Sequence, residues 1–204
     1  MKDTVVVFAR APRLGMVKRR LARDIGQYPA LRFHRALLER LLQALVRDRR
    51  FQTVVAITPD RAKVWVPAGC ALVPQGQGDL GMRMARVCRR WPRGQVALIG
   101  CDIPEAGPAD VRTAFAGLGR ADAMFGPAED GGYWLVAMGP RRPARPFERV
   151  RWSTTSALAD TLVNFRERRV GFLRVLRDVD TAEDMAKVPR RHKFEVIPSS
   201  FGDA

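Results

Sequence analysis

Short apolar runs alternate along this chain with stretches of helical periodicity. Thr4 to Ala9 is a β-branched run closed by the turn-rich Ala11-Pro12-Arg13-Leu14-Gly15, which predicts a buried strand. From Pro29 to about Asp48, Phe33, Leu37, Leu41 and Leu45 recur every four positions with Leu38 and Leu42 beside them, one apolar stripe of a helix. Strands are predicted at Thr53 to Thr58, Cys70 to Val73, Gln95 to Ile99, Ala121 to Phe125, Tyr133 to Met138 and Phe172 to Leu176. Between them the pattern predicts helices from about Asp79 to Trp91, Ala109 to Leu118 and Thr154 to Arg168. Strands alternating with helices predict an α/β, three-layer α/β/α arrangement with a mostly parallel sheet and helices on both faces. Residues 1–188 read as one domain, and 189–204 as a loosely structured basic tail.

Composition narrows the class. The chain has 204 residues, 47% of them hydrophobic, which suits one globular domain and excludes a disordered or collagen-like chain. No apolar run reaches the roughly 20 residues of a membrane span, and the apolar start is too short for a signal peptide's core. Cys70, Cys88 and Cys101 form no CxxC pair, which points to a reduced, cytoplasmic setting. His34 and His192 are too isolated to suggest zinc. The formal net charge is +15, yet only five of the 36 basic residues are Lys. Abundant Arg and Ala together suit ordinary solvated faces better than a nucleic-acid footprint. Twelve Arg or Lys lie within residues 10–50 against three acids, a basic zone suited to a phosphorylated small ligand.

Unusual residues gather where the predicted strands end, the edge at which α/β sheets bind ligands. After the first strand, Arg10, Gly15, Lys18 and Arg20 can surround phosphate oxygens; a solvated basic turn is the plainer alternative. The loop is neither a Walker A nor a GxGxxG sequence. Gln75-Gly-Gln-Gly78-Asp79-Leu-Gly81-Met-Arg83 puts three glycines at a strand-to-helix turn, where a backbone can approach an anion, although Asp79 is equally an N-cap. Asp102, at the end of a buried strand, suits a hard cation such as Mg²⁺, and Cys101 beside it reads as a buried small residue rather than a nucleophile. Glu129-Asp130-Gly131-Gly132-Tyr133 exceeds what a hairpin turn requires; its carboxylates can bind an acceptor or act as a base. Thr181 and Asp184 form a capping box, leaving Asp178 and Asp180 to meet Asp102 around one cation.

Five segments carry a family resemblance: F-A-R-A-P-R-x-G-x-V-K-x-R-L-A at 8–22, P-Q-G-x-G-D-L-G-x-R-M at 74–84, I-G-x-D-x-P at 99–104, G-P-A-E-D-G-G-Y-x-L at 126–135 and R-D-V-D-T-x-E-D at 177–184. Taken in order, they resemble a bacterial family of small glycosyltransferase-A-type proteins sometimes linked to arsenosugar biosynthesis. The likeness extends more distantly to 2-phospholactate guanylyltransferase and to molybdenum-cofactor nucleotidyltransferases. It implies the nucleotide-diphospho-sugar transferase fold. It also implies that Arg10, Gly15, Lys18 and Arg20 line a nucleotide phosphate loop, with Gln75, Gly78, Asp79 and Arg83 completing the donor site. Asp102, Asp178 and Asp180 match metal-binding acids. Arg19 departs from the family pattern, which has a small hydroxyl residue there.

The resulting expectation is a transferase using Mg²⁺ or Mn²⁺ and a nucleotide-activated donor, foremost a nucleotide sugar. Glu129 and Asp130 are the candidate catalytic acids, and Gly131, Gly132, Tyr133 and Trp152 the acceptor side. A nucleotidyltransferase releasing pyrophosphate is the alternative within the same site. A nucleic-acid-binding protein would leave the acidic strand ends unexplained, because carboxylates repel a phosphate backbone. No specific nucleic-acid partner is therefore expected.

Overall fold

The computed structural model describes residues 2–189. Nearly all of the expected basic tail lies outside the described residues. The strands are β1 (Asp3–Arg10), β2 (Phe51–Thr58), β3 (Cys70–Pro74), β4 (Val96–Gly100), β5 (Ala123–Pro127), β6 (Tyr133–Met138) and β7 (Val170–Phe172). The helices are α1 (Arg19–Ile25), α2 (Gln27–Arg47), α3 (Leu80–Cys88), α4 (Pro108–Gly117), α5 (Ala157–Val163) and α6 (Ala182–Lys187).

The strands form one seven-stranded sheet in the order β3-β2-β1-β4-β6-β5-β7. All its pairings are parallel except those of β6, which runs antiparallel to both β4 and β5. Side chains alternate across the sheet, so the apolar run of β1 serves both faces. Val5, Val7 and Ala9 pack with Leu38, Leu42 and Leu45 of α2 and with Val111 and Ala114 of α4. Val6 packs on the other face with Met84 and Val87 of α3 and with Phe165 beyond α5. Each side of the sheet thus carries helices, as the alternating pattern predicts.

Several boundaries differ from the sequence expectation. α3 ends at Cys88 and turns tightly to Trp91, where Pro92 cannot continue a helix. α5 is shorter than predicted because Ser153 is left-handed (φ 61°) and turns replace helix after Val163. The last strand lies earlier, at Val170–Phe172, and Leu176 makes only an isolated bridge to Ala128. Asp178 and Asp180 therefore sit in a loop rather than at a strand's end. α1 had no sequence signal: Leu21 is the single buried residue among its seven, too little for a periodic stripe.

A third apolar cluster explains how that loop is held. Leu21, Phe33 and Leu37 enclose Val179 and Val188, docking α6 and the preceding loop onto α1 and α2. The Asp24 carboxylate accepts a hydrogen bond from the Ala182 amide at 2.9 Å, and the Val179 amide donates to the Asp102 carbonyl at 3.1 Å.

Candidate active site

The chain leaves β1 to build β2 and β3 on one side, then crosses back to place β4 on the other. At such a reversal the loops diverge and open a crevice beyond the strand ends. A cavity of about 450 Å³ lies there, within the range of small-molecule sites. Its floor is apolar, with Phe8, Leu98 and Val136, while Arg10, Arg83, Asp102, Asp130 and Asp178 supply charge around it.

The cavity's acidic side is built around Lys18. Its backbone is left-handed (φ 47°) where it caps α1, and its side chain is 3% exposed. The ammonium lies 3.0 Å from Asp102 Oδ1 and 3.0 Å from Asp180 Oδ1. Burial alone would lower its pKa, but the two carboxylates outweigh that and raise it. For Asp102, burial pushes toward the neutral acid, and the Lys18 ammonium outweighs that and holds the carboxyl well below the usual range. Arg20, largely exposed, reaches within 3.6 Å of Asp180.

Asp178 lies in the cavity wall, its pKa raised by burial and by the neighbouring charges of Asp180 and Asp130. Among the described residues, the one trio of potential metal ligands lying within 4.8 Å of one another is His34, Cys101 and Asp102. Asp102, Asp178 and Asp180 are thus neighbours without forming so tight a trio. Burial raises the Cys101 thiol far above its ordinary value, which makes it a poor ligand and a poor nucleophile.

A hard divalent cation takes oxygen ligands from a few carboxylates and from substrate phosphates. Asp102 and Asp180 already converge on a cationic group, and Asp178 and Asp130 add carboxylates that repel one another. These residues fit Mg²⁺ or Mn²⁺.

His34 is a site residue that sequence reasoning missed. Its Nε2–H donates to the Arg10 carbonyl at 3.0 Å, and Nδ1, buried without a hydrogen-bond partner, lies 3.6 Å from Asp102 Oδ1. A signal existed: His34 is the polar residue within the buried stripe of α2.

The donor-side residues divide into positioning and contact groups. Gln75, 2% exposed, donates to the Ala9 and Ala56 carbonyls at 3.0 and 2.8 Å, and its Oε1 accepts from Arg83 at 2.8 Å. Both of its amide N–H groups are used by the strands, and its Oε1 aims Arg83 at the cavity wall that Gln75 shares. Arg83's pKa is lowered by burial and by the like charge of Arg10, a cationic pair suited to an anion. Asp79 caps α3 by accepting from the Met82 amide at 2.8 Å. Gly15 and Gly78 take positive φ (71° and 103°) in their loops and do not line the cavity.

On the opposite wall stand Tyr133 and Trp152, edge to face at 6.3 Å, with Asp130 and Gly132. Asp130 Oδ1 accepts from the Gly132 amide at 2.8 Å. Glu129 turns elsewhere: it pairs with Arg177 and lines a separate surface depression, so the structure does not bring it to the cleft.

The segment carrying Trp152 is held by Asp160, which accepts from the Arg151 amide, Nε and Nη2 at 3.0, 2.9 and 2.9 Å. Those bonds hold its carboxyl down to about 2. A depressed carboxylate contributes stability above its unfolded value of about 3.9 and loses it as pH falls toward the folded one. The melting difference between wild type and Asp160→Asn should stay constant from about pH 8 to about pH 5, narrow to about half near pH 3 and close as pH falls below about 2. Melting curves across that range check this.

The sheet order, with a charged cavity at its switch point, defines a protein of the nucleotide-diphospho-sugar transferase fold. Residues 41–154 match the family described as an uncharacterized protein conserved in bacteria (DUF2064), and the chain belongs to that family. It is similar to a solved "putative nucleotide-diphospho-sugar transferase" from Desulfovibrio desulfuricans G20, with 27% identity over 96% of this chain and 90% of that one, at a TM-score of 0.87. It shares the fold of CMP:2-keto-3-deoxy-manno-octonic acid synthetase complexed with CTP (14% identity, 92% and 97% coverage, TM-score 0.55). It also shares that of a Mycobacterium tuberculosis H37Rv protein in complex with manganese (20% identity, 92% and 98% coverage, TM-score 0.54). No curated protein matches the chain. Among the described residues, no helix is long and apolar enough to cross a membrane.

Proposed function

We propose that this protein is a metal-dependent transferase acting on a nucleotide-activated donor, with a nucleotide sugar as the first candidate. The observation that carries this reading is the convergence of Asp102 and Asp180 on one cationic position, beside a cavity that also holds Arg10 and Arg83. The similarity to the Desulfovibrio protein supports transferase chemistry.

Asp102 and Asp180, with Asp178 near them, would hold Mg²⁺ or Mn²⁺, which when bound neutralises phosphate charge. Lys18 and Arg20 add positive charge as the nucleoside diphosphate departs. Asp130 lines the cleft and in this reading accepts the acceptor's proton, while Tyr133 and Trp152 offer aromatic surface to its body. Glu129, tied to Arg177, is left out of this role.

A second reading is nucleotidyl transfer, in which an acceptor oxygen attacks the α-phosphorus of a nucleoside triphosphate and pyrophosphate leaves. It is favoured by the Arg10–Arg83 pair, a second cationic group beyond Lys18 and Arg20 that suits a longer phosphate chain. Thermal-shift screening of nucleotide sugars and nucleoside triphosphates, with and without Mg²⁺ or Mn²⁺, tests the shared claim. Product analysis then separates the readings: nucleoside diphosphate for the first, pyrophosphate for the second. Absence of any metal-dependent nucleotide stabilisation would remove both.

The phosphate loop makes its own prediction. Arg20→Ala should weaken nucleotide binding by about 1.5 kcal/mol, roughly tenfold, the lower end for a charged hydrogen bond because the side chain is solvated. The bare nucleoside should lose almost nothing. Arg19 is exposed, and Arg19→Ala should be silent. Titration calorimetry of both variants decides this: equal losses would mean a nonspecific basic surface.

A further inference from the structure

We propose that Lys18 is a positioning residue that occupies the divalent-cation seat between Asp102 and Asp180 until a nucleotide arrives, so that the metal enters with the nucleotide rather than before it. This rests on the reading above that Asp102 and Asp180 hold the metal.

Three observations carry it. First, the ammonium stands 3.0 Å from an oxygen of each acid, bridging carboxylates from two distant parts of the chain. Second, its side chain is 3% exposed, so it is enclosed by the site rather than extended into the cavity as a free anion contact. Third, Lys18 is held in the left-handed region (φ 47°) at the start of α1, a conformation that a bulky residue does not adopt without compensation.

A divalent ion and an ammonium cannot both sit against the same carboxylate oxygens, because their charges repel strongly at that range. A free ion must therefore displace Lys18 without offering its ammonium another anion. A nucleotide-bound ion brings the phosphates with it, and the flexible lysine stem can move from the acids to those oxygens. The same cation thus keeps Asp102 and Asp180 converged in the empty protein and contacts phosphate in the loaded one.

The test is Mn²⁺ titration without nucleotide, read by electron paramagnetic resonance of the free ion. Wild type should bind Mn²⁺ at least about tenfold more weakly than Lys18→Met, since the variant removes the competing charge. The double variant Lys18→Met/Asp102→Asn should lose that gain. Lys18→Met should also gain a larger rise in melting temperature from Mn²⁺ than wild type does, because the ion replaces the missing ammonium. Should Lys18→Met fail to fold with or without Mn²⁺, Lys18→Gln takes its place in the same titration. Unchanged or weaker Mn²⁺ affinity in the lysine variant, with Asp102 still required, would overturn the proposal and leave the metal reading standing. Mn²⁺ binding indifferent to Asp102 in every variant, nucleotide present or not, would instead overturn the metal reading and this proposal with it.

Discussion

Asp102→Asn is expected to lower turnover about a thousandfold, roughly 4 kcal/mol of transition-state stabilisation, while the protein still folds. Removing one carboxylate takes away half of the pair that converges on the cationic position. The asparagine amide is a weak substitute, because it carries no charge to offset a divalent ion. Folding should survive for local reasons. The Val179 amide bonds to the Asp102 backbone carbonyl, which the substitution leaves in place, asparagine is close to isosteric with aspartate, and Lys18 keeps Asp180 as a partner. Steady-state kinetics, Mn²⁺-dependent nucleotide affinity and melting curves should be read together. Metal-dependent nucleotide binding within about threefold of wild type would remove Asp102 from the metal site.

Gly131→Ala is expected to destabilise the protein by about 3 kcal/mol and to weaken ligand binding on the Trp152 side of the cavity. Gly131 has φ +83°, where a side chain is strained, and an added Cβ would lie 2.1 Å from the Thr155 carbonyl oxygen. That neighbour is backbone and cannot rotate away. The Leu158 amide also donates to the Gly131 carbonyl at 3.0 Å, so the turn is clamped to the segment that supplies Trp152, Ser153 and Thr154 to the cavity. Relief of the clash must displace that segment. For a chain of this size the melting temperature should fall by roughly 6–12 °C. Calorimetry and near-ultraviolet circular dichroism of the tryptophans measure the two effects. A variant melting within about 2 °C of wild type would show that the turn yields more freely than its packing implies.

The layered architecture was legible because burial writes a period into each element. The β-branched run of β1 and the leucine stripe of α2 appear in the structure within a few residues of their expected bounds. Elements without such a signature went unseen or were misplaced. α1 buries too little to show a stripe, and the apolar run at Phe172 to Leu176 misplaced the edge strand, since Val175 is 58% exposed and lies beyond its end at Phe172. Among the site residues, local chemistry offered Asp79 as a cap beside its phosphate-binding reading, and the cap bond is present; it also marked Cys101 as a buried small residue, which it is. It could not show that Glu129 and its neighbour Asp130 part company, because which of two adjacent carboxylates enters a cleft depends on the partner waiting for the other, here Arg177.

The alternation of strands and helices, the basic loop after the first strand and the acid that follows β4 are written in the sequence. All of these follow from short-range patterns of burial, turn chemistry and charge. Only the tertiary structure decided who meets whom. Lys18 and Asp180 are 162 positions apart, and they touch because an apolar cluster docks α6 and the loop before it onto α1 and α2. The same docking, with the Val179 bond to Asp102, sets the third member of that cluster of charge at the end of β4. His34 reaches Asp102 because the helix that carries it packs along the sheet beside β1. Burial tells each residue whether to turn inward, but the identity of its partner is settled by how whole elements pack.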